Sequence, residues 1–328
     1  MAAALDIVLV IVGTAILYWG AEWLIRGSAQ VARAFGVKPL VVGLTVVAYG
    51  TSAPELAVAT KTALTHHEPI ALGTVVGSCA ANISLILGLT ALISPPTIDG
   101  RIIRREVPVL LGSAIAVPLL FRNGVLSRLE GLVLISCAVV FTIATLTVSS
   151  RLDPDDALEE EARRSEDSGA ALGGKGRPHG SRATAALQTA LGLVLLVVGS
   201  DLFVRGGRGL GQELRISERM LGLTVISIGT ALPELAGSIV AAARGHAALA
   251  IGSVIGSNVL NVFLVLGVTA YLRPIRAGEL LHLSDLIGLV AITLLGILML
   301  RGSRRISRVE GAILVLAYVA FVATAAIF

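Results

Sequence analysis

The sequence predicts an all-α membrane protein, with ten transmembrane helices arranged as two inverted five-helix repeats. Three observations carry this expectation. The 328 residues have a mean hydropathy of +0.87, with 55% hydrophobic and only 15% charged residues, whereas a soluble chain carries about 25% charged residues. Ten apolar runs can be traced along the chain. The second half of the sequence repeats the first.

The runs lie near 5–25, 39–64, 70–95, 104–121, 126–147, 184–205, 218–243, 248–273, 283–301 and 308–327. Most reach the roughly 20 residues that a spanning helix needs. A closed barrel would show short alternating strands instead, which leaves α-helices as the spanning structure. The first run has no basic residue before it and continues into Trp19, Glu22 and Trp23. It reads as a spanning helix and not as a cleaved signal.

The repeat has a fixed offset of 179 residues, as from Glu55 to Glu234, and runs without a gap from Gly20/Gly199 to Ala91/Ala270. Beyond the third helix of each half the offset becomes 180, so that Ser127-Arg128-Leu129-Glu130-Gly131 matches Ser307-Arg308-Val309-Glu310-Gly311. Each half then holds five helices. After an odd number of crossings the second copy enters from the opposite face, the inverted-repeat plan of many secondary transporters. The division expected is 1–147 for the first repeat, 148–183 for a linker and 184–328 for the second repeat. The linker carries Asp153-Pro154-Asp155-Asp156, Glu159-Glu160-Glu161 and a Gly-Gly-Lys-Gly-Arg-Pro tail. It reads as a solvated connection, and its spacing does not fit an EF-hand loop.

A net charge of +4 does not point to nucleic acid here, because the basic residues fall mainly in connecting loops. Counted by alternate loops, 17 of the 26 Lys and Arg lie on the linker's side and 9 on the other. This places the linker in the cytoplasm and both termini outside, in a cell inner membrane. Six of the 17 are in the linker itself, and without them the ratio is 11 to 9. Cys79 and Cys137 fall within apolar runs and build no disulfide or metal framework.

Chemistry concentrates in two duplicated motifs. Gly50-Thr51-Ser52-Ala53-Pro54-Glu55 recurs as Gly229-Thr230-Ala231-Leu232-Pro233-Glu234. Proline lacks an N–H and clashes with the carbonyl four residues back, so a break is expected near Gly50–Thr51 and again near Gly229–Thr230. Freed carbonyls cannot face lipid and must line an enclosed site. A carboxylate at membrane depth costs on the order of 2.5–3.5 kcal/mol, which makes Glu55 and Glu234 functional candidates. Carbonyls, hydroxyls and a carboxylate form an all-oxygen set suited to hard cations such as Ca²⁺. No imidazole or thiolate accompanies them, which argues against Zn²⁺ or Cu.

The next helix of each half brings Gly73-Thr74-Val75-Val76-Gly77-Ser78 with Asn82, and Gly252-Ser253-Val254-Ile255-Gly256-Ser257 with Asn261. The paired glycines allow close helix packing. Ser78/Asn82 and Ser257/Asn261 are four apart and share a face. Glu22/Arg26 and Asp201/Arg205 read as i,i+4 pairs at helix ends. His66, His67 and His246 read as solvated loop residues.

Together the motifs resemble those of the calcium/cation antiporter superfamily, most closely its sodium/calcium exchanger branch, over nearly the whole chain. The resemblance implies that the second, third, seventh and eighth helices surround the ions. It implies Glu55 and Glu234 as central Ca²⁺ ligands, helped by the carbonyls of Thr51 and Thr230. Sodium sites would use Ser52, Ser78 and the Ala48 carbonyl in one half, and Ser257 and the Ser227 carbonyl in the other. Asn82 and Asn261 would complete the middle. Two departures stand out: Ala231 replaces the motif's serine, and Cys79 replaces the more usual asparagine after Ser78, with its side chain expected to point elsewhere. Some prokaryotic relatives carry aspartate where Asn261 stands, and Asn leaves two formal negative charges, enough to balance one Ca²⁺.

The function expected is a secondary active antiporter exchanging Na⁺ for Ca²⁺ by alternating access, with no cofactor, the two ions as substrates and the lipid bilayer as surroundings. No protein partner is evident and no nucleic-acid role is expected. Gly173-Gly174-Lys175-Gly176 lacks the Walker spacing. H⁺/Ca²⁺ (or other cation) exchange by the same glutamates is the alternative within transport. A channel would be a different class, against which the inverted repeat argues. An enzyme is the least supported, since no nucleophile–base pair or metal-ligand cluster is found.

Overall fold

The computed structural model describes residues 2–64, 68–96, 100–148, 182–214, 227–276, 283–302 and 305–327. The acidic run and glycine tail of the linker, His66, His67 and the first part of the run at 218–243 lie outside the described residues.

The first half opens with α1, Ala2–Phe35, which continues ten residues past the end of its apolar run. The second segment is built from α2 (Pro39–Val42), a π-helical turn at Gly43–Val47, α3 (Ala48–Thr51) and α4 (Ala53–Leu64). The third comprises α5 (Glu68–Ala80), a π-helical turn at Ala81–Ile86 and α6 (Leu87–Ile93). Then come α7 (Gly100–Leu120) and, after the short strand β1 (Val125–Leu126), α8 (Arg128–Val148).

The second half follows the same order. Its elements are α9 (Arg182–Glu213), α10 (Ser227–Thr230), α11 (Leu232–Ala243), α12 (Ala247–Leu260), a π-helical turn at Asn261–Leu266 and α13 (Gly267–Leu272). Strand β2 (Ile275–Arg276), α14 (Leu283–Gly302) and α15 (Arg308–Ile327) complete it. Among the described residues, six helical segments are long and apolar enough to cross a membrane, and two shorter apolar helices accompany them.

The first helices of the two halves, α1 and α9, form the most extensive packed pair, and they run antiparallel. Glycines recur every seven residues on each: Gly13, Gly20 and Gly27 on α1, and Gly192, Gly199 and Gly206 on α9. A Cβ on Gly13 would meet Phe203 N at 2.7 Å, one on Gly20 would meet Leu196 N at 2.8 Å, and one on Gly199 would meet Leu17 N at 2.8 Å. Backbone thus lies on backbone, the close approach that small residues permit between membrane helices. At one end Arg182 donates from Nε to Ala34 O (3.2 Å) and sits over the Phe35 ring.

Further contacts are made twice, with the halves exchanging roles. Helix α6 packs on α15 and α13 on α8. A Cβ on Gly88 would lie 2.7 Å from Gly311 O, and one on Gly131 would lie 2.7 Å from Gly267 O. Both fifth helices start with a capping box: Glu130 Oε2 accepts from Ser127 N (2.8 Å), and Glu310 Oε2 accepts from Ser307 N (2.7 Å). Strand β1 pairs antiparallel with β2, placing Leu126 opposite Ile275, and their repeat equivalents meet as Ile306 N to Pro96 O at 3.2 Å. The third helix of the second half, α12 with its continuation, is the most enclosed segment, with 89% of its most apolar stretch buried.

Two expectations are corrected here. The pairs Arg26–Glu22 and Arg205–Asp201 form, but they sit within α1 and α9 and not at their ends. Mutual neutralisation one helical turn apart lets each helix continue past them. Glu22 also receives Arg244, which caps α11 in the other half, at 2.8 Å and 3.1 Å. His246 is half-buried, and its backbone N–H donates to Ala241 O at 2.8 Å.

Candidate functional site

The helix breaks fall one residue later than the proline argument placed them. Ser52 joins α3 to α4 with φ −80° and ψ 1°, and Ala231 joins α10 to α11 with φ −85° and ψ −1°. Both sit in the sparsely populated bridge region. The displacement has a physical reason: with the break there, Pro54 and Pro233 fall in the first turn of a new helix, where no donor is needed. Ser52 N donates to Ala48 O (3.0 Å), Leu56 N to Ser52 O (3.1 Å) and Leu235 N to Ala231 O (3.0 Å). The carbonyl of Gly229, deprived of its helical donor by Pro233, accepts from Ser200 Oγ on α9. Ala21 stands at the matching place in α1 and has no donor to offer Gly50.

Each new helix presents its glutamate in the first turn, and both are 1% exposed. Their elements cross over between halves. Helix α4, bearing Glu55, packs on the π turn that begins at Asn261, and α11, bearing Glu234, packs on the π turn containing Asn82. Glu55 and Glu234 lie within electrostatic reach of each other. Thr51 Oγ1 is 3.4 Å from Ser257 Oγ, and Ser52 Oγ donates to Glu234 Oε1 over a long 3.5 Å. Thr51 Oγ1 also donates back to Val47 O at 3.1 Å.

Of the residues expected at the site, Glu55, Glu234, Thr51, Ser52, Ser78, Asn82, Ser257, Asn261, Thr230 and Ala48 are all buried. The contacts above join Thr51, Ser52, Glu234 and Ser257 directly. Ser227 opens α10, and its side chain lies outside the described residues.

Both oxygens of Glu55, Oε2 of Glu234, and the amide oxygen and nitrogen of Asn82 and of Asn261 have no hydrogen-bond partner among the described residues. Buried polar atoms are rarely left so, and here they come as two repeat-related pairs at one crossing. The donor set is two carboxylates, two amides and surrounding hydroxyls. It offers oxygen ligands and two negative charges, the chemistry of a hard cation. Among the described residues no group of three or more His, Cys, Asp or Glu side chains could hold a metal, so carboxylates alone do not define the site.

Sequence reasoning missed three features. The π turns beside Asn82 and Asn261 carry no composition signal; such turns recur at functional sites. The Ser200 contact joins elements whose proximity only the fold reveals. Cys79 Sγ lies 3.7 Å from Asn258 O, beside Glu55 and Asn261, and so nearer the site than expected. Cys79 and Asn258 are themselves repeat equivalents, and that signal was present in the sequence.

The sequence profile of the sodium/calcium exchanger protein family matches residues 5–147 and 184–327. A putative antiporter, CaxA, of Alkalimonas amylolytica is 34% identical over 96% of this chain and 96% of its own. The inner membrane protein YrbG of Escherichia coli strain K12 is 34% identical over 84% of this chain and 83% of its own. A structure of the sodium-calcium exchanger NCX_Mj, soaked with Na⁺ and Sr²⁺, superposes with a TM-score of 0.82 at 29% identity, covering 98% of each chain.

Proposed function

We propose, on the premise that this chain belongs to the sodium/calcium exchanger protein family, that it is a secondary active antiporter exchanging Na⁺ for Ca²⁺ by alternating access. The observation that carries this is the fourfold set of buried groups with unpartnered polar atoms, Glu55, Glu234, Asn82 and Asn261, supplied in equivalent pairs by both halves. In this reading Glu55 and Glu234 are the Ca²⁺ ligands, with the carbonyls of Thr51 and Thr230. Ser52, Ser78, Ser257 and the carbonyls of Ala48 and Ser227 serve Na⁺. Competition does the coupling, because the same two carboxylates neutralise one Ca²⁺ or part of a Na⁺ set but not both.

The architecture proposed with it is ten transmembrane helices in two inverted repeats, 1–147 and 184–328, around a cytoplasmic linker at 148–183, with both termini outside an inner membrane. Support comes from the antiparallel α1/α9 pair of equivalent helices and from the role-exchanging glycine contacts. The family match, which skips 148–183, and the inner-membrane relative also favour it.

One observation favours a second reading. Ala231 takes the place of the second serine, which removes a hydroxyl from a flanking Na⁺ position and leaves H⁺/Ca²⁺ exchange by the same glutamates as the competitor. Ca²⁺ flux in proteoliposomes with Na⁺, K⁺ and pH gradients imposed separately decides between them. Flux that follows Na⁺ supports the first reading, and flux that follows pH and ignores Na⁺ supports the second. Glu55→Gln and Glu234→Gln are each expected to abolish gradient-driven flux. Normal flux in either folded variant would overturn the assignment of the site.

A further inference from the structure

The exchange of contacts between the halves has one clear failure. Helix α1 packs extensively on α11, whereas among the described residues the equivalent contact of α9 with α4 is slight at most, and α9 also lies on α11. The helix bearing Glu234 is thus covered by both members of the α1/α9 pair, and the helix bearing Glu55 by neither to a comparable extent. Residue environments agree. On α11, Leu232, Ala236 and Val240 pack against a cluster that includes Leu17, Ala21 and Leu24 of α1. Their equivalents on α4, Ala53, Ala57 and Lys61, are exposed. A cleft of about 670 Å³ lies over that face, reaching Val268.

The covered side is tied by charge. Glu22, 6% exposed, accepts from Arg244 Nε at Oε2 (3.1 Å), its Oε1 lies 2.8 Å from Arg244 Nη2 as an ion pair, and Arg26 adds a second cation. Arg244 ends α11, and Glu22 lies in the half of α1 that leads to Phe35 and the start of α9. The tie therefore joins the two halves toward the end of the α1/α9 pair where α9 begins. The equivalent of Glu22 is Asp201, half exposed, which among the described residues pairs only with Arg205 of its own helix. The equivalent of Arg244 is Thr65, which cannot form an ion pair. Four residues before it in the sequence, and within α4, stands Lys61.

We propose that Glu22–Arg244 is one of two alternative ion-pair latches, and that Asp201 takes Lys61 as its partner when the α1/α9 pair shifts from α11 to α4. This rests on the alternating-access reading above, in which the two halves trade roles about a fixed site. The latches set how the chain divides its time between the two states. They are chemically unequal: a buried glutamate held by two guanidinium groups, Arg244 and Arg26, on one side, and a single-point Lys–Asp contact between exposed groups on the other. The Glu22 latch therefore makes the state described here the resting one.

The test is a spin-label distance measurement in lipid nanodiscs without Ca²⁺. Labels go on Arg33→Cys and Ala243→Cys, both exposed, with Cys137→Ser and the buried Cys79 retained. Glu22→Gln and Arg244→Gln are each expected to raise the long-distance population relative to the short one by at least about fivefold, the lower end of ordinary coupling between sites. The double variant should do no more than either single one. Asp201→Asn and Lys61→Gln should deplete the long-distance population. Lys61 is exposed, so that variant reports even if a change at the buried Glu22 prevents folding. Unchanged distances in Arg244→Gln or Lys61→Gln, additive effects of the first pair, or a shift of Asp201→Asn in the same direction as Glu22→Gln would overturn the proposal. The measurement needs no transport. Distances that move as stated while Ca²⁺ flux ignores Na⁺ leave the latches standing and remove Na⁺ as the coupling ion. Na⁺-driven flux with unmoved distances removes the latches alone.

Discussion

Glu55 and Glu234 keep carboxylate oxygens without donors although each residue is almost wholly buried. Such groups destabilise the fold unless something binds them, so they belong to function and not to packing. The same reasoning makes Ala231 the position to restore. Ala231→Ser is expected to lower the Na⁺ concentration for half-maximal exchange by about fivefold, what one added hydroxyl contributes at about 1 kcal/mol; Na⁺ titration of Ca²⁺ efflux checks it. At this scale the sequence was legible wherever chemistry is written in residue type. The acids, the prolines and the Ser-x-x-x-Asn pairs announced themselves. Arg244 did not, because its partner Glu22 is 222 residues away and only the packing of α1 on α11 brings them together. The position of the breaks was off by one, since proline's missing donor is absorbed in a first turn, which local propensity alone does not locate.

Among the elements, the breaks and the glycine contacts make separate demands. Pro54→Ala returns a donor to Gly50 O and favours a continuous helix through Ser52, so it is expected to reduce exchange while leaving the unfolding temperature unchanged or higher. Flux and thermal unfolding measured on one preparation test this. Gly88→Val and Gly131→Val place side-chain atoms against the carbonyls of Gly311 and Gly267. Each should cost about 1–3 kcal/mol as an overpacked contact, read as a lowered unfolding midpoint. Helix positions were legible from apolar runs because lipid enforces them: 283–301 and 308–327 reappear as Leu283–Gly302 and Arg308–Ile327. Helix length was less so. The antiparallel partner α9 supports α1 beyond its apolar stretch, and charged residues such as Arg26 and Arg33 ride along on it.

For the molecule as a whole, the antiparallel α1/α9 pair and the contacts made twice favour halves of opposite orientation. If that holds, a cysteine at Ser165 in the linker and one at Asn123, between α7 and β1, must lie on opposite faces of the membrane. An impermeant thiol reagent added to intact spheroplasts is expected to label Asn123→Cys and spare Ser165→Cys until the membrane is opened. Labelling of both from one side would contradict the topology. The loop charges alone, 11 to 9 without the linker, left this weakly specified.

The glycine contact of Gly88 with Gly311 also bears on how the chain is made. The groove at Gly88 is closed by a helix that begins 220 residues later in the chain, at Arg308. With synthesis at about 5–20 residues per second, this interval is on the order of 10–45 s. Throughout it the third segment of the first half waits in the bilayer with its backbone seam open to lipid. The packing of the first half is therefore completed only once α15 has been made, and a chain truncated before α15 loses a contact of its N-terminal half.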